Sequence, residues 1–193
     1  MKSLLQNLAD LSDEEVASFI SLGVRKFANS KIQISPEGIV FDKLFFIHSG
    51  IIRCFQLIDG IDITYAFFTT NEFATDFESY LTGEPSLLTF ETLSDTEYSI
   101  FHKKDIEKLY QTHPKFEKIG RLFAENAFLK AAKRLKEHQT DTLKIRYLNL
   151  LARNPQLFQD VPQYHIASYL GVKPQSLSRI RTEIANDGIS SHL

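Results

Sequence analysis

The stretch that most constrains what this chain can fold into is 163–181, QYHIASYLGVKPQSLSRIR. Apolar or small residues at Ile166, Ala167, Leu170, Val172, Leu177 and Ile180 fit two short helices that pack through one face. Gly171 suits the bend between them, where a left-handed residue ends the first helix. Pro174 suits the first turn of the second, where a missing N–H costs nothing. Ala167 is small where the helices must approach. Lys173, Gln175, Ser176, Ser178 and Arg179 are then left around Leu177 for contacts outside the pair. This is the layout of a DNA-binding helix-turn-helix, whose second helix enters the major groove. An ordinary helical hairpin with a glycine cap would share much of it.

Charge distribution agrees with the first reading. Residues 1–127 carry 12 Lys+Arg against 19 Asp+Glu, a balance of −7, whereas residues 128–193 carry 10 against 5, a balance of +5. A nucleic-acid surface is therefore expected at the C-terminal end, although a solvated charged face would look similar. One cysteine, Cys54, excludes an internal disulfide framework and an all-cysteine cluster. The opening MKSLLQNLADLSDEE has no long apolar run and soon turns acidic, so it does not read as a signal peptide. No apolar run reaches membrane-spanning length, and a cytoplasmic setting without membrane partners is expected.

Taken in order, the chain changes period twice. A short helix is expected over 3–9. Ser12 with Glu15 three residues later forms a capping box that opens a second, with Val16, Phe19 and Ile20 on one stripe and Gly23 as its stop. From about Val24 to Phe101, short β-rich runs alternate with turn signals: 31–34, 39–41, 44–48, 51–58, 61–68, 87–93 and 97–102. Asp59-Gly60 between two of them is a strong two-residue hairpin signal. Segment 73–81 reads as a helical or irregular insert. Helical spacing returns over 104–110 and then from Pro114 to about His138. That long helix has a narrow seam of Phe116, Ile119, Gly120, Phe123, Ala124, Ala127 and Ala131, suited to pairing with its own copy or to packing on the strands. A further helix over 140–151 should bury Leu143, Tyr147, Leu148 and Leu151. Residues 157–161 lead to the opening motif, read as a short strand.

The order of strand-rich barrel, long helix and helix-turn-helix resembles the Crp/Fnr family of bacterial transcription regulators over nearly the whole chain. LFFIHSGIIRCF (44–55), the Asp59-Gly60 hairpin and IASYLGVKPQSLSRIR (166–181) carry the likeness. It implies an α+β fold: an N-terminal jelly-roll-like double-stranded β-helix (1–113) as a cyclic-nucleotide-binding-like sensor, a dimerisation helix (114–138) and a helix-turn-helix domain (139–193). It implies a non-enzymatic regulator acting as a homodimer on double-stranded, palindromic promoter DNA read by the helix 173–185, with RNA polymerase as a partner. The dimer seam would use Phe116, Ile119, Phe123 and Ala127. Cyclic-AMP-responsive members begin the recognition helix Ser-Arg-Glu-Thr-Val-Gly-Arg, and residues 173–179 stand at those positions. Arg179 is kept and suits a bidentate contact to guanine, with a phosphate contact or a pair with Glu183 as alternatives. Gln175 replaces glutamate and would favour adenine, Pro174 replaces arginine and reads nothing, and Lys173 would hold phosphate. The family usually adds a β-hairpin wing, for which the residues after Ile184 leave little room.

The effector site departs further. Family nucleotide binders carry a Phe-Gly-Glu-Leu cassette followed by Arg-Ser, with the arginine neutralising the cyclic phosphate. The matching positions include Phe73, Thr75, Asp76, Ser86 and Leu87, and no arginine lies between Arg53 and Arg121. An unpaired buried phosphate would cost several kcal/mol, so tight cyclic AMP or cyclic GMP binding is not expected and any effector is unknown. No cofactor and no metal is expected either. His48, His102, His113, His138, His165 and His192 form no His-x-His or i,i+4 pair, and Cys54 reads as a small buried hydrophobe. A barrel enzyme would need a metal or nucleophile motif of which there is no sign. The remaining alternative is an interaction or signalling module whose barrel binds an unknown small ligand and whose helix-turn-helix has lost DNA binding.

Overall fold

A computed structural model describes residues 1–190. Residues 191–193 lie outside it, and with them His192 and the end of the segment expected to be too short for a wing. The chain forms two compact units, one of Met1–Gln56 with Ala66–Phe128 and one of Leu57–Tyr65 with Leu129–Leu193. The fold is α+β.

In the first unit α1 (Lys2–Leu8) is followed by α2 (Asp13–Ser21), whose Ser12 cap and Glu15 exchange the two hydrogen bonds of the expected capping box. Among the described residues eight strands follow, with the Leu57–Tyr65 part of β4 and β5 belonging to the second unit: β1 (Val24–Ala28), β2 (Gln33–Ser35), β3 (Lys43–Ser49), β4 (Ile52–Ile58), β5 (Ile61–Phe68), β6 (Phe73–Ala74), β7 (Thr89–Thr92) and β8 (Thr96–His102). They form two four-stranded sheets of jelly-roll-like order, β1-β8-β3-β6 and β2-β7-β4-β5. Strand β1 was hidden in the sequence because four of its five residues are exposed and give no alternation. The run 39–41 contributes only an isolated bridge, Val40 to Pro85. Helix α3 (Phe77–Thr82) fills the insert, and α4 (Lys103–Thr112) and α5 (Lys115–Thr140) follow β8.

Alternation along β3 explains how one sheet serves two cores. Phe45 and Ile47 point inward to a cluster with Phe41, Ile52, Cys54, Ala74, Phe90 and Tyr98. Phe46 points the other way, to Leu5, Val16, Phe19, Phe101, Ile106, Phe116 and Ile119. Ring pairs knit both, such as Phe41–Phe90 at 4.5 Å and Phe19–Phe101 at 4.8 Å.

The second unit is helical apart from the Leu57–Tyr65 segment of the β4–β5 hairpin. Helices α6 (Leu143–Arg153), α7 (Leu157–Asp160), α8 (Gln163–Tyr169) and α9 (Pro174–Ser190) bury Tyr147, Leu150, Leu157, Val161, Ile166, Ala167, Leu170 and Leu177. Two expectations are corrected here. Residues 157–160 are a helix rather than a strand. Leu148 is exposed and Leu150 takes its place, because Thr142 caps α6 and the stripe through Tyr147 runs at three- and four-residue steps. Among the described residues no helix is long and apolar enough to cross a membrane.

Gly50 between β3 and β4 has φ 98°, and a Cβ there would lie 2.6 Å from the Asp95 carbonyl oxygen and 2.8 Å from the Thr96 Cα. Gly50→Ala should therefore lower unfolding stability by about 1–3 kcal/mol in urea titrations, beyond what an exposed glycine would lose.

Candidate nucleic-acid interface and sensor cleft

The turn between α8 and α9 is built from backbone bonds. Val172 N–H donates to the Ala167 carbonyl at 3.0 Å and Gly171 N–H to that of Ser168 at 2.9 Å, with Gly171 at φ 71°. This is a Schellman closure, which the left-handed glycine permits. Cationic side chains gather on the same turn. Arg146 donates to the Leu170 carbonyl at 3.2 Å and Arg134 to the Tyr169 carbonyl at 3.3 Å. His138 lies against Gly171 and hydrogen-bonds the Tyr169 backbone. Burial, then Arg134 and Arg146, push its imidazole below its ordinary pKa.

Leu177 is buried on the inner side of α9. A helical repeat of 3.6 residues places Gln175 and Arg179 opposite it and Ser178 on the flank, and all three are exposed. Lys173 is exposed just before the helix, while Ser176 is half-buried on the flank. Thr182 and Asn186 extend the outward face beyond the residues expected from sequence. Asn186 was missed because the helix was expected to end at 185, whereas it continues to Ser190; Thr182 lay within the expected helix but beyond the segment 173–179 from which contacts were assigned. Glu183, the alternative partner for Arg179, instead pairs with Lys144 of α6 at 2.8 Å.

The long helix does not use its seam as expected. Phe116 and Ile119 are 1% and 2% exposed, buried with Phe19 and Phe101 in the chain's own core. Phe123 packs on the same cluster, its ring 4.8 Å from Phe73. Phe116 and Ile119 are therefore corrected from dimer seam to core: the strands offer an apolar surface to that side of the helix. Ala127 is half-buried, and Phe128 and Leu135 are 71% and 61% exposed.

At the expected sensor site, a cleft of about 370 Å³ is lined by Asp76, Glu78, Ser79, Thr82, Glu84, Pro85, Ser86 and Leu87. Asp76, Ser86 and Leu87 line this cleft, whereas Phe73 and Thr75 do not. Phe73 packs among the helix-side phenylalanines, and Thr75 donates to the Lys43 carbonyl at 3.0 Å. Asp76 is buried. One carboxylate oxygen accepts from Glu78 and Ser79 N–H at 3.1 and 3.4 Å, and the other accepts the Ser86 hydroxyl at 2.6 Å. Three carboxylates and, among the described residues, no basic side chain line the cleft. Arg53 is paired with Glu91 at 3.1 Å and stacks on Phe55. Cys54 is buried in the barrel core, and among the described residues no group of three or more His, Cys, Asp or Glu is placed to hold a metal.

Asp76→Ala removes the α3 cap and the partner of Ser86 together. It should cost about 1–3 kcal/mol of stability by chemical denaturation, and Asp76→Asn, which keeps an acceptor for the cap, clearly less.

No protein-family model matches the sequence, and no curated protein does. Solved structures do. FixK2 from Bradyrhizobium japonicum superposes with a TM-score of 0.76 over 86% of this chain and 86% of its own, at 18% identity. The c-di-GMP-responsive global regulator CLP of Xanthomonas campestris gives 0.69 over 92% and 93%, at 15% identity. A protein of Eubacterium rectale assigned to the Crp/Fnr family of transcriptional regulators gives 0.68 over 93% and 86%, at 14% identity. At such identities the likeness carries the fold and leaves ligand and target open. The chain has the fold of the Crp/Fnr transcription regulators, with a cyclic-nucleotide-binding-like barrel followed by a long helix and a helix-turn-helix.

Proposed function

We propose that this chain is a DNA-binding transcription regulator of the Crp/Fnr type rather than an enzyme. The observation that carries the reading is the outward face of α9, where Gln175 and Arg179 stand exposed opposite the buried Leu177, with Ser178 exposed beside them. Arginine and glutamine on such a face suit guanine and adenine edges in the major groove, and Lys173 suits phosphate. Thr182 and Asn186 lengthen the contact.

The regulator acts as a homodimer on a palindromic site and engages RNA polymerase there. On α5, Ala124, Phe128, Ala131 and Leu135 follow one another at steps of four, three and four and are all exposed. That is coiled-coil spacing, and two exposed large apolar side chains call for a partner helix. The dimer seam thus lies on this side of Ala127, turned away from Phe116 and Ile119.

The sensor cleft does not take a cyclic nucleotide. Asp76 already places a carboxylate on the N–H groups and hydroxyl that an incoming phosphate would need, and Glu78 and Glu84 add like charge. Millimolar cyclic AMP should therefore leave the thermal midpoint of the full chain unchanged; stabilisation of several degrees would overturn this assignment of the cleft.

Selection from random duplexes at low salt should enrich a two-fold symmetric site. Recovery of no common sequence would overturn the DNA-binding reading, and a single asymmetric half-site would overturn the dimer. On the selected duplex, Arg179→Ala should cost about 1–3 kcal/mol of binding and relax specificity at one base pair per half-site.

A further inference from the structure

The second unit contains a piece of chain that sequence order gives to the barrel. Leu57–Tyr65, the distal part of the β4–β5 hairpin, groups with the helix-turn-helix. Ser168 and Arg134 are among the side chains that hold it. The Ser168 hydroxyl of α8 accepts from Thr64 N–H at 2.9 Å and donates to the Asp62 carbonyl at 2.9 Å. These groups flank Ile63 on the strand, so one hydroxyl does what a residue of a parallel neighbouring strand would do. The Arg134 guanidinium, from the last part of α5, donates to the Tyr65 carbonyl and, at 3.5 Å, to that of Thr64. It also reaches the Tyr169 carbonyl at 3.3 Å and stacks over the Tyr169 ring at 4.2 Å.

This attachment is polar by construction. Leu57, Ile58, Ile61 and Tyr65 all remain exposed and Ile63 is half-buried, so burial of large apolar side chains contributes little to holding the hairpin. Directed bonds to backbone groups fix position where apolar contact would permit sliding. Both anchors converge on the C-terminal end of α8, next to the Gly171 turn that sets the direction of α9.

We propose that the Leu57–Tyr65 hairpin is a working part of the DNA reader, and that Ser168 and Arg134 are the positioning residues through which it holds the helix-turn-helix. The proposal rests on the reading of α9 as the DNA-contacting helix. Neither residue touches DNA; both fix the platform that α9 leaves from.

The test uses the full chain and the duplex selected by the wild type. Ser168→Ala deletes both hydroxyl bonds, and Ser168→Thr keeps them. Arg134→Met keeps much of the stem and deletes the guanidinium. Thr64 amide exchange, read by NMR, should quicken about tenfold in Ser168→Ala and return to the wild-type rate in Ser168→Thr. Duplex affinity should fall roughly tenfold in Ser168→Ala and in Arg134→Met, and Ser168→Thr should restore it. The slope of log Kd against log salt should stay at its wild-type value, since no phosphate contact is lost. Unchanged affinity in Ser168→Ala with faster Thr64 exchange would overturn the functional role, and unchanged exchange would overturn the contact itself. Tighter binding would make the hairpin a brake and overturn positioning, and a slope lower by about one in Arg134→Met would make Arg134 a phosphate ligand. Should the wild type select no duplex, the DNA reading fails on its own, and Thr64 exchange still decides whether the hairpin is held by Ser168.

Discussion

The β1-β8-β3-β6 sheet is covered by apolar side chains on both faces, and the first unit depends on that. A chain with 16 Phe and no Trp meets the demand with one kind of ring. Alternation in β3 sends Phe45 to the barrel interior and Phe46 to the helices, and in β8 it divides Tyr98 from Phe101 in the same way. The helix-side cluster then claims α1, α2, α4 and the start of α5. Phe116 and Ile119 are taken up by this requirement, which leaves the adjacent side of α5, with Phe128 and Leu135, exposed.

What was legible in the sequence was mainly what is decided locally. A capping box needs two residues three apart, and Ser12 with Glu15 supplies both bonds. A left-handed turn needs glycine, and Gly171 closes α8. Asp59 and Gly60 both adopt positive φ in the hairpin turn that their pairing announces. The features that escaped are decided by distant partners. Phe73 looks like a pocket residue until β6 pairs with β3 and turns its ring toward Phe46. The seam of α5 has the same spacing whichever side meets the strands. Leu148 and Leu150 are equally apolar, and only the phase of α6 decides between them. For the candidate site, Gln175, Ser178 and Arg179 were legible because a helix period fixes their side once Leu177 is taken as buried, whereas the role of Ser168 requires knowing that residues 62–64 lie beside it.

The cleft beside α3 is already supplied with an anion by the chain itself. A short helix, a hydroxyl and a turn surround a point suited to an anion, and the chain fills it with its own carboxylate. Asp76 contributes to the stability of the barrel by occupying that point, because cap donors and the Ser86 hydroxyl are then satisfied without a ligand. Glu78 and Glu84 make the mouth unfriendly to a second anion.

The turn at Asp59-Gly60 closes a hairpin whose partners are made much later. Ser168 follows Thr64 by 104 residues, so at about 5–20 residues per second a ribosome takes roughly 5–20 s to deliver it. For that interval the Asp62 carbonyl and the Thr64 N–H have no Ser168 hydroxyl to bond. The helical unit is thus discontinuous in time as well as in sequence, and its assembly closes one of the longest loops in the chain.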